Sequence, residues 1–238
     1  MRNFMVGEII CFSGWGQKYD SCEFIFDDIR YKNYKISSID YSQFGSTELF
    51  FDYVKSLNIK AKAILGWSLG GQLSLRLISK NFIACENLIL IAPPFQLVKD
   101  SKIQAAMSLE AFNQFRSNFA IAQSKTLKQF SVLTAMNDRN SSQISRNLDI
   151  CDENVDNLLY WLDELNNFSF FNYDLSNIGR TLYFHGIGDM IVHISQMEYF
   201  KNSLKNIICK TYDKCGHAPQ YSNIDDMRNI IFEFISKK

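Results

Sequence analysis

No stretch of this chain approaches the roughly 18 consecutive apolar residues of a membrane span, so no transmembrane helix is expected. Net charge is missing too. The 25 basic and 25 acidic residues cancel, leaving no global field for nucleic acid or an anionic bilayer, though the cancellation says nothing of a local patch. Cys11, Cys22, Cys85, Cys151, Cys209 and Cys215 include no Cys-x-x-Cys pair, and with three histidines no zinc-ligand spacing arises. No metal or other cofactor is expected. Scattered thiols with mostly apolar neighbours fit a reducing cytoplasm better than a disulfide framework. Met1 to Phe12 lacks a long apolar h-region and a cleavage site, so no signal peptide is read there. Repeats, low-complexity tracts and linkers are absent as well. What remains is 238 residues, 47% hydrophobic and 21% charged, enough for one large domain or a core with a modest insertion.

The most informative stretch is Ala63-Ile64-Leu65-Gly66-Trp67-Ser68-Leu69-Gly70-Gly71. An apolar, strand-like run enters a Gly-x-Ser-x-Gly pentad and leaves with helical spacing, the setting of a nucleophile elbow. So sharp a turn brings positions two residues either side of the serine close together, which suits Gly66 and Gly70. It also lifts the Ser68 hydroxyl clear of the sheet, toward the first N–H groups of the next helix. The plainer reading is a Gly-rich strand-to-helix connection with an ordinary serine.

Around this pentad the chain alternates. Strands are predicted at Glu8–Phe12, Lys35–Asp40, Ala61–Trp67 and Asn87–Ala92. Helices are predicted at Asp20–Arg30 (weakly), Thr47–Leu57 and Leu69–Lys80, with Leu49, Phe50, Tyr53, Val54 and Leu57 on one side of the second. Strands apolar on both faces argue a mostly parallel sheet with helices on both sides. From Phe95 to Leu175 the rhythm breaks, and apolar residues recur only at helical spacing. This predicts a helical cap over 95–175, inserted into a core of 1–94 and 176–238. The sheet pattern resumes at Arg180–His185 and Ile207–Tyr212, with helices at Ser195–Leu204 and Ile224–Ile235.

A serine needs a base within reach, and that base needs a third group to orient it. Reactive groups in such sheets gather beyond the carboxyl ends of the strands. Ser68 ends one strand, Asp189 follows another and His217 follows the last, in the order Ser, Asp, His. His185 lies in an apolar strand and reads as a packed residue with a hydrogen-bonded ring. His193 reads as solvated or capping, Asp213 is the rival acid, and Cys215 reads as a buried or incidental thiol. The oxyanion formed on attack by Ser68 calls for preorganised donors. These are expected to be the backbone N–H groups of Leu69 and of Trp15, which sits between Gly14 and Gly16. A plain turn is the alternative there.

With these residues in place, the chain resembles the α/β-hydrolase superfamily over nearly its whole length. Within it, the chain looks most like the pimeloyl-[acyl-carrier-protein] methyl ester esterases of bacterial biotin synthesis. The matching points are Gly14-Trp15-Gly16, the Asp40…Phe44-Gly45 turn, Leu65 to Gly71, Pro94-Phe95, Gly186-x-x-Asp189-x-x-Val192 and Gly216-His217-Ala218-Pro219. The resemblance implies cleavage of the methyl ester of a pimeloyl chain carried on acyl carrier protein, inside a tunnel between sheet and cap. It suggests Trp67, Leu69, Phe130 and Ile191 as tunnel walls. It also suggests Lys125, Lys128, Arg139 and Arg146 as cations facing the acidic carrier, with solvated helix faces as their ordinary reading. Three points depart from the family. Ser13 stands where a histidine is usual, lysines replace some of the cap's arginines, and a first strand at Glu8 leaves no room for the usual leading hairpin, so six strands are expected. A general short-chain carboxylesterase and a non-catalytic binding protein of the same fold are the competing functional readings.

Overall fold

The computed structural model describes residues 7–151 and 154–237. Half of the N-terminal segment read for a signal peptide (residues 1–6 of 1–12), and two positions of the expected cap, lie outside the described residues.

Six strands form one sheet in the order β2-β1-β3-β4-β5-β6. They are β1 (Gly7–Phe12), β2 (Tyr34–Ser38), β3 (Lys60–Trp67), β4 (Ala84–Ile91), β5 (Arg180–Gly186) and β6 (Ile207–Tyr212). Every neighbouring pair is parallel. A parallel sheet needs both faces covered, and the strand residues show how this is met. Ile10, Phe12, Ile64, Leu88, Leu90 and Tyr183 pack into one apolar layer. The alternate residues Ile9, Cys11, Ala63, Leu65, Trp67, Ile89, Ile91, Leu182 and Phe184 pack into the other. That is the period-two alternation of a strand, apolar in both phases.

The core helices are α1 (Thr47–Ser56), α2 (Leu69–Ser79), α7 (Gln196–Ser203), α8 (Pro219–Ser222) and α9 (Ile224–Ser236). Between β4 and β5, in the segment expected as a cap, the chain forms α3 (Leu109–Ile121), α4 (Gln123–Ala135), α5 (Ser141–Asn147) and α6 (Val155–Asn167). The weak helix expected over Asp20–Arg30 is two short 3-10 turns, Glu23–Phe26 and Ile29–Tyr31.

One predicted face is rotated. In α1 the buried residues are Thr47, Phe50, Phe51 and Val54, whereas Leu49 is 62% and Leu57 44% exposed. The cause is distant in sequence. Phe51 packs edge-on to Phe82, and Phe50 packs edge-on to Trp161 of α6, 5.6 Å between ring centroids, so the helix turns those rings inward. Trp161 in turn donates its indole N–H to Tyr41 O (2.9 Å) and Phe44 O (3.0 Å). Beside it, Arg76 of α2 pairs with Glu164 at 3.0 Å while stacking over Phe168. These contacts seat the cap on the core.

The strand order positions the site. After β1 the chain moves outward to β2, then crosses back to place β3 on the other side of β1. The crevice at that reversal is where such sheets hold ligands. Phe12 and Gly66 are register partners there, so the Ser13–Gly16 turn and the Ser68 elbow emerge side by side.

Candidate active site

Ser68 has φ 53° and ψ −120°, a conformation that costs a non-glycine residue about 1–3 kcal/mol. Its surroundings enforce the strain. Ser68 N donates to Ile91 O at 2.8 Å, and α2 starts at the next residue. A Cβ on Gly66 would stand 2.6 Å from Gly70 O, and one on Gly70 would stand 2.5 Å from Ser13 O. Only glycine fits at either position.

Asp189 lies in the turn that leaves β5, its N–H donating to Gly186 O at 3.2 Å. Its Oδ1 accepts from the N–H groups of Ile191 (2.8 Å) and Val192 (3.0 Å). Its Oδ2 accepts from His217 Nδ1 at 2.6 Å, with both side chains essentially buried. Burial alone would raise this carboxyl. The charges and hydrogen bonds of His217 and His185 outweigh it and hold Asp189 well below the usual carboxylate range. Ionised Asp189 therefore fixes the tautomer of His217, with its proton on Nδ1 and its lone pair on Nε2. Among the described residues that buried Nε2 has no hydrogen-bond partner, so Ser68 Oγ is not bonded to it here. Such bonds are often long in ligand-free sites. The two residues are neighbours all the same: Trp67, next to Ser68, donates its indole N–H to His217 O at 3.0 Å.

The loops carrying His217 and Asp189 are gripped by the end of α4 and the turn after it, which nothing in the sequence signalled. His217 N donates to Thr134 O (2.9 Å), Arg139 N to Lys214 O (2.9 Å), and Asn137 Nδ2 to Gly188 O (3.0 Å). Asp138, 7% exposed, accepts from Ser222 Oγ at 2.7 Å and from Gly216 N at 3.4 Å.

Ser68 opens into a cavity of about 360 Å³ whose lining includes Trp15, Phe130 and Ile191 together with Phe112, Leu133 and Leu162. Apart from Ser68, the polar residues in its lining are Gln114 and Asn118 among the described residues. Trp15 packs edge-on to Phe115, Phe119 and Phe130 and donates its indole N–H to Leu158 O at 2.8 Å. The loop beneath it is tied by Tyr41, whose buried hydroxyl donates to Gly14 O at 2.8 Å. That bond supports the loop next to Ser13. Leu69 is the first residue of α2, so its N–H belongs to the helix's unpaired first turn and is available to a ligand.

Other expected residues are placed differently. Trp67 does not line the cavity. Strand alternation puts it in the opposite apolar layer with Ala63 and Leu65, where it braces His217. Leu69 is wholly buried in the cavity-side layer without lining the cavity. Arg139 is committed to Ser222 O (2.5 Å) and Asn223 Oδ1 (2.8 Å). Lys125 and Lys128 flank a shallow surface depression on α4 with Ser124, Gln129 and Val132, and Arg146 sits in the last turn of α5. Arg139 is thus held by a neighbouring loop, whereas Lys125 and Lys128 line an open surface. His193 is exposed and bonded to Ser195 Oγ at 2.8 Å, and Asp213 is exposed. Among the described residues no group of three or more His, Cys, Asp or Glu side chains is arranged to hold a metal. No helix among them is long and apolar enough to cross a membrane.

Known proteins bear on this geometry. The chain is 27% identical over 195 residues to the biotin biosynthesis bifunctional protein BioHC of Teredinibacter turnerae, matching 74% of this chain and 33% of that protein. The chain thus spans about a third of that relative's length. It is 25% identical over 183 residues to a pimeloyl-[acyl-carrier protein] methyl ester esterase of Aromatoleum aromaticum, covering 72% of this chain and 73% of that one. An esterase from Exiguobacterium antarcticum superposes with a TM-score of 0.80 at 12% identity, over 97% of this chain and 92% of that one, a likeness of fold. The alpha/beta hydrolase fold model matches residues 37–224. The chain belongs to the alpha/beta hydrolase fold family.

Proposed function

We propose that this protein is a serine carboxylesterase that hydrolyses the methyl ester of pimeloyl-[acyl-carrier protein] in biotin synthesis. The observation that carries the catalytic half is the buried Asp189–His217 pair at 2.6 Å, adjoining a strained serine on an apolar cavity. Ser68 Oγ attacks the ester carbonyl as its proton passes to His217 Nε2. The oxyanion is met by the N–H groups of Trp15 and Leu69, each donor of this kind being worth about 2.7–4 kcal/mol. Collapse returns the proton from His217 to the methoxy oxygen, and methanol leaves. Water, deprotonated by the same imidazole, then releases the acid from Ser68.

The cavity supports the substrate half. Among the described residues its lining carries no charged side chain, so it suits an uncharged methylene chain, each CH₂ contributing about 0.8 kcal/mol on burial. A methyl ester at the Ser68 end is neutral, whereas the product carboxylate is not, which favours release. Residues 95–175 act as the cap in this reading, with Phe130 and Ile191 as walls. Lys125 and Lys128, with Arg146 beyond, face the acidic carrier, and the enzyme works in the cytoplasm. The name of one relative gives the same substrate and that of the other the same biosynthesis, which supports this reading.

One observation favours a second reading, a general short-chain carboxylesterase: Arg139 is already bonded within the fold, which thins the cationic surface. Fluorophosphonate labelling of wild type but not Ser68→Ala tests the nucleophile. Rescue of a biotin auxotroph lacking its own esterase, with turnover of methyl pimeloyl carrier protein by the purified chain, tests the substrate. Labelling without rescue and without carrier-ester turnover leaves the general esterase. No labelling at all leaves a binding protein.

A further inference from the structure

His185 is wholly buried and lies on β5, four residues before Asp189. Its ring makes three polar contacts. Nδ1 is 2.9 Å from the Tyr183 hydroxyl, while Nε2 is 2.9 Å from Val192 O and 3.1 Å from Asp189 Oδ2. A carbonyl and an ionised carboxylate can only accept, so Nε2 carries a proton that they share. The tautomer that satisfies every partner leaves Nδ1 bare, and Tyr183, itself wholly buried, donates its O–H there. Asp189 Oδ2 is therefore held between two imidazole N–H groups, with two backbone N–H groups on Oδ1.

Resting on the catalytic reading above, we propose that His185 is a positioning residue, backed by Tyr183, that sets the orientation and effective charge of Asp189 and through it the basicity of His217. Two consequences follow. The four donors fix the carboxylate plane, so His217 presents Nε2 in one orientation. The His185 dipole also draws off part of the carboxylate's charge, which tempers its pull on the imidazolium formed on His217 and keeps the proton from passing on to Asp189. Removing the His185 donor leaves Asp189 more basic and its pull on a protonated His217 stronger. The acid limb of kcat/KM then moves to higher pH.

Other groups around His217 stay unchanged in the test. Asp138 lies behind Gly216 and Ser222, Cys215 is in the same loop, and Ser68 and Trp67 come from β3 and the elbow. The experiment compares pH profiles for p-nitrophenyl butyrate in His185→Leu, His185→Gln and Tyr183→Phe. His185→Leu should lower kcat/KM about tenfold and shift the acid limb up by roughly half a unit or more. His185→Gln keeps an N–H near the place of Nε2 and should restore the limb to the wild-type position. Tyr183→Phe weakens the ring's polarisation only, and should shift the limb in the same direction by less. The downfield proton resonance of His217 Nδ1–H should move in His185→Leu and stay in His185→Gln, and it can be read in the Ser68→Ala background, where no turnover is needed.

A folded His185→Leu whose limb stays put, or a His185→Gln that shifts as far as His185→Leu, overturns the proposal. If His185→Leu does not fold, a Tyr183→Phe limb at the wild-type position overturns it. These failures are distinct from failure of the catalytic reading, which would appear as Ser68→Ala retaining activity and wild type escaping fluorophosphonate.

Discussion

The strand exits and the outer cap are held together by different means. At the ends of β3, β5 and β6 the main chain bonds to itself, from Ser68 N to Ile91 O and from His217 N to Thr134 O. Added side chains at Gly66 or Gly70 would strike backbone atoms. On the outer cap, side chains do the holding. Arg116 and Asp163 pair across α3 and α6 at 2.5 Å while 42% and 36% exposed, and Ile121 and Val132 face solvent. The border between the two regimes falls inside α4. Its far end, running into Asn137–Arg139, grips the loops that carry Asp189 and His217, whereas Lys125 and Lys128 near its start face an open surface. In the proposed reading the segment is thus part scaffold and part recognition surface. On that reading, chemistry rests on positions that tolerate almost no change, such as Gly66 and Gly70, and specificity on positions that tolerate much.

The sharpest break in that contrast is at the nucleophile. Ser68→Ala should lower turnover by about 10⁶ while the urea midpoint stays near wild type, because only a hydroxyl is lost. More than a few per cent of wild-type activity in that variant would remove the serine mechanism. His217→Asn should be comparably damaging. His193→Asn should stay within a fewfold, since His193 is exposed and reaches only Ser195. Equal losses in the two histidine variants would reassign the base.

A middle-sized effect probes the part of the cap that acts as scaffold. Asp138→Ala strips acceptors from Ser222 Oγ, Gly216 N and Asn140 N in a mostly buried place. Leaving such donors unpaired should cost about 1–3 kcal/mol in urea unfolding, and turnover of even a small ester should fall as the His217 loop loosens. Unchanged small-ester turnover would place the border between scaffold and recognition surface nearer the end of α4 than drawn here.

Stability should also depend on pH at both extremes. The folded carboxyl of Asp189 is held below its unfolded value of about 3.9, so the stability it contributes is complete above that pH and drains as pH falls through the folded value. Desolvation works the other way on the core thiols, pushing Cys22, Cys85 and Cys215 up to about 12. Their contribution is complete below the unfolded thiol value of about 8.5 and is lost as pH rises toward 12. Urea midpoints should therefore decline from pH 8 to 10.5, and Cys22→Ser should flatten that slope; a decline identical in the variant would place the alkaline lability elsewhere.

Much of this was legible in the chain. Local patterns carried the six strands, the elbow and the residues at the strand exits, because strand alternation and glycine punctuation act within a few positions. What was hidden is what distant segments decide. Phe51 rather than Leu49 faces inward on α1 because Phe82 and Trp161 meet that face. The support of Gly14 by Tyr41 and the clamp by Asp138 join residues far apart in sequence. Trp67 was readable in principle, since its phase on β3 matches Ala63 and Leu65 and not Ile64. Arg139 was not, because charge alone does not tell a docking cation from one bonded to a neighbouring loop.

The smallest effect is expected at the recognition surface itself. If α4 meets an acidic carrier, neutralising Lys125 and Lys128 to Ala should raise KM for a carrier-borne ester and leave kcat in place. Each exposed attraction is worth about 0.2–1 kcal/mol, so the pair should weaken the encounter by about two- to thirtyfold at low salt. The effect should fade near 0.5 M salt, where charges more than a few ångströms apart are screened. p-Nitrophenyl butyrate is uncharged and fits the cavity, so its turnover should not change, and neither should the urea midpoint. Arg139→Ala makes the useful contrast. Because Arg139 bonds to Ser222 O and Asn223 Oδ1, its loss should lower stability and affect both substrates together. A lysine pair that changes neither substrate would make that face of α4 an ordinary solvated surface. The general esterase reading would then stand alone, with the scaffold at the far end of the same helix untouched.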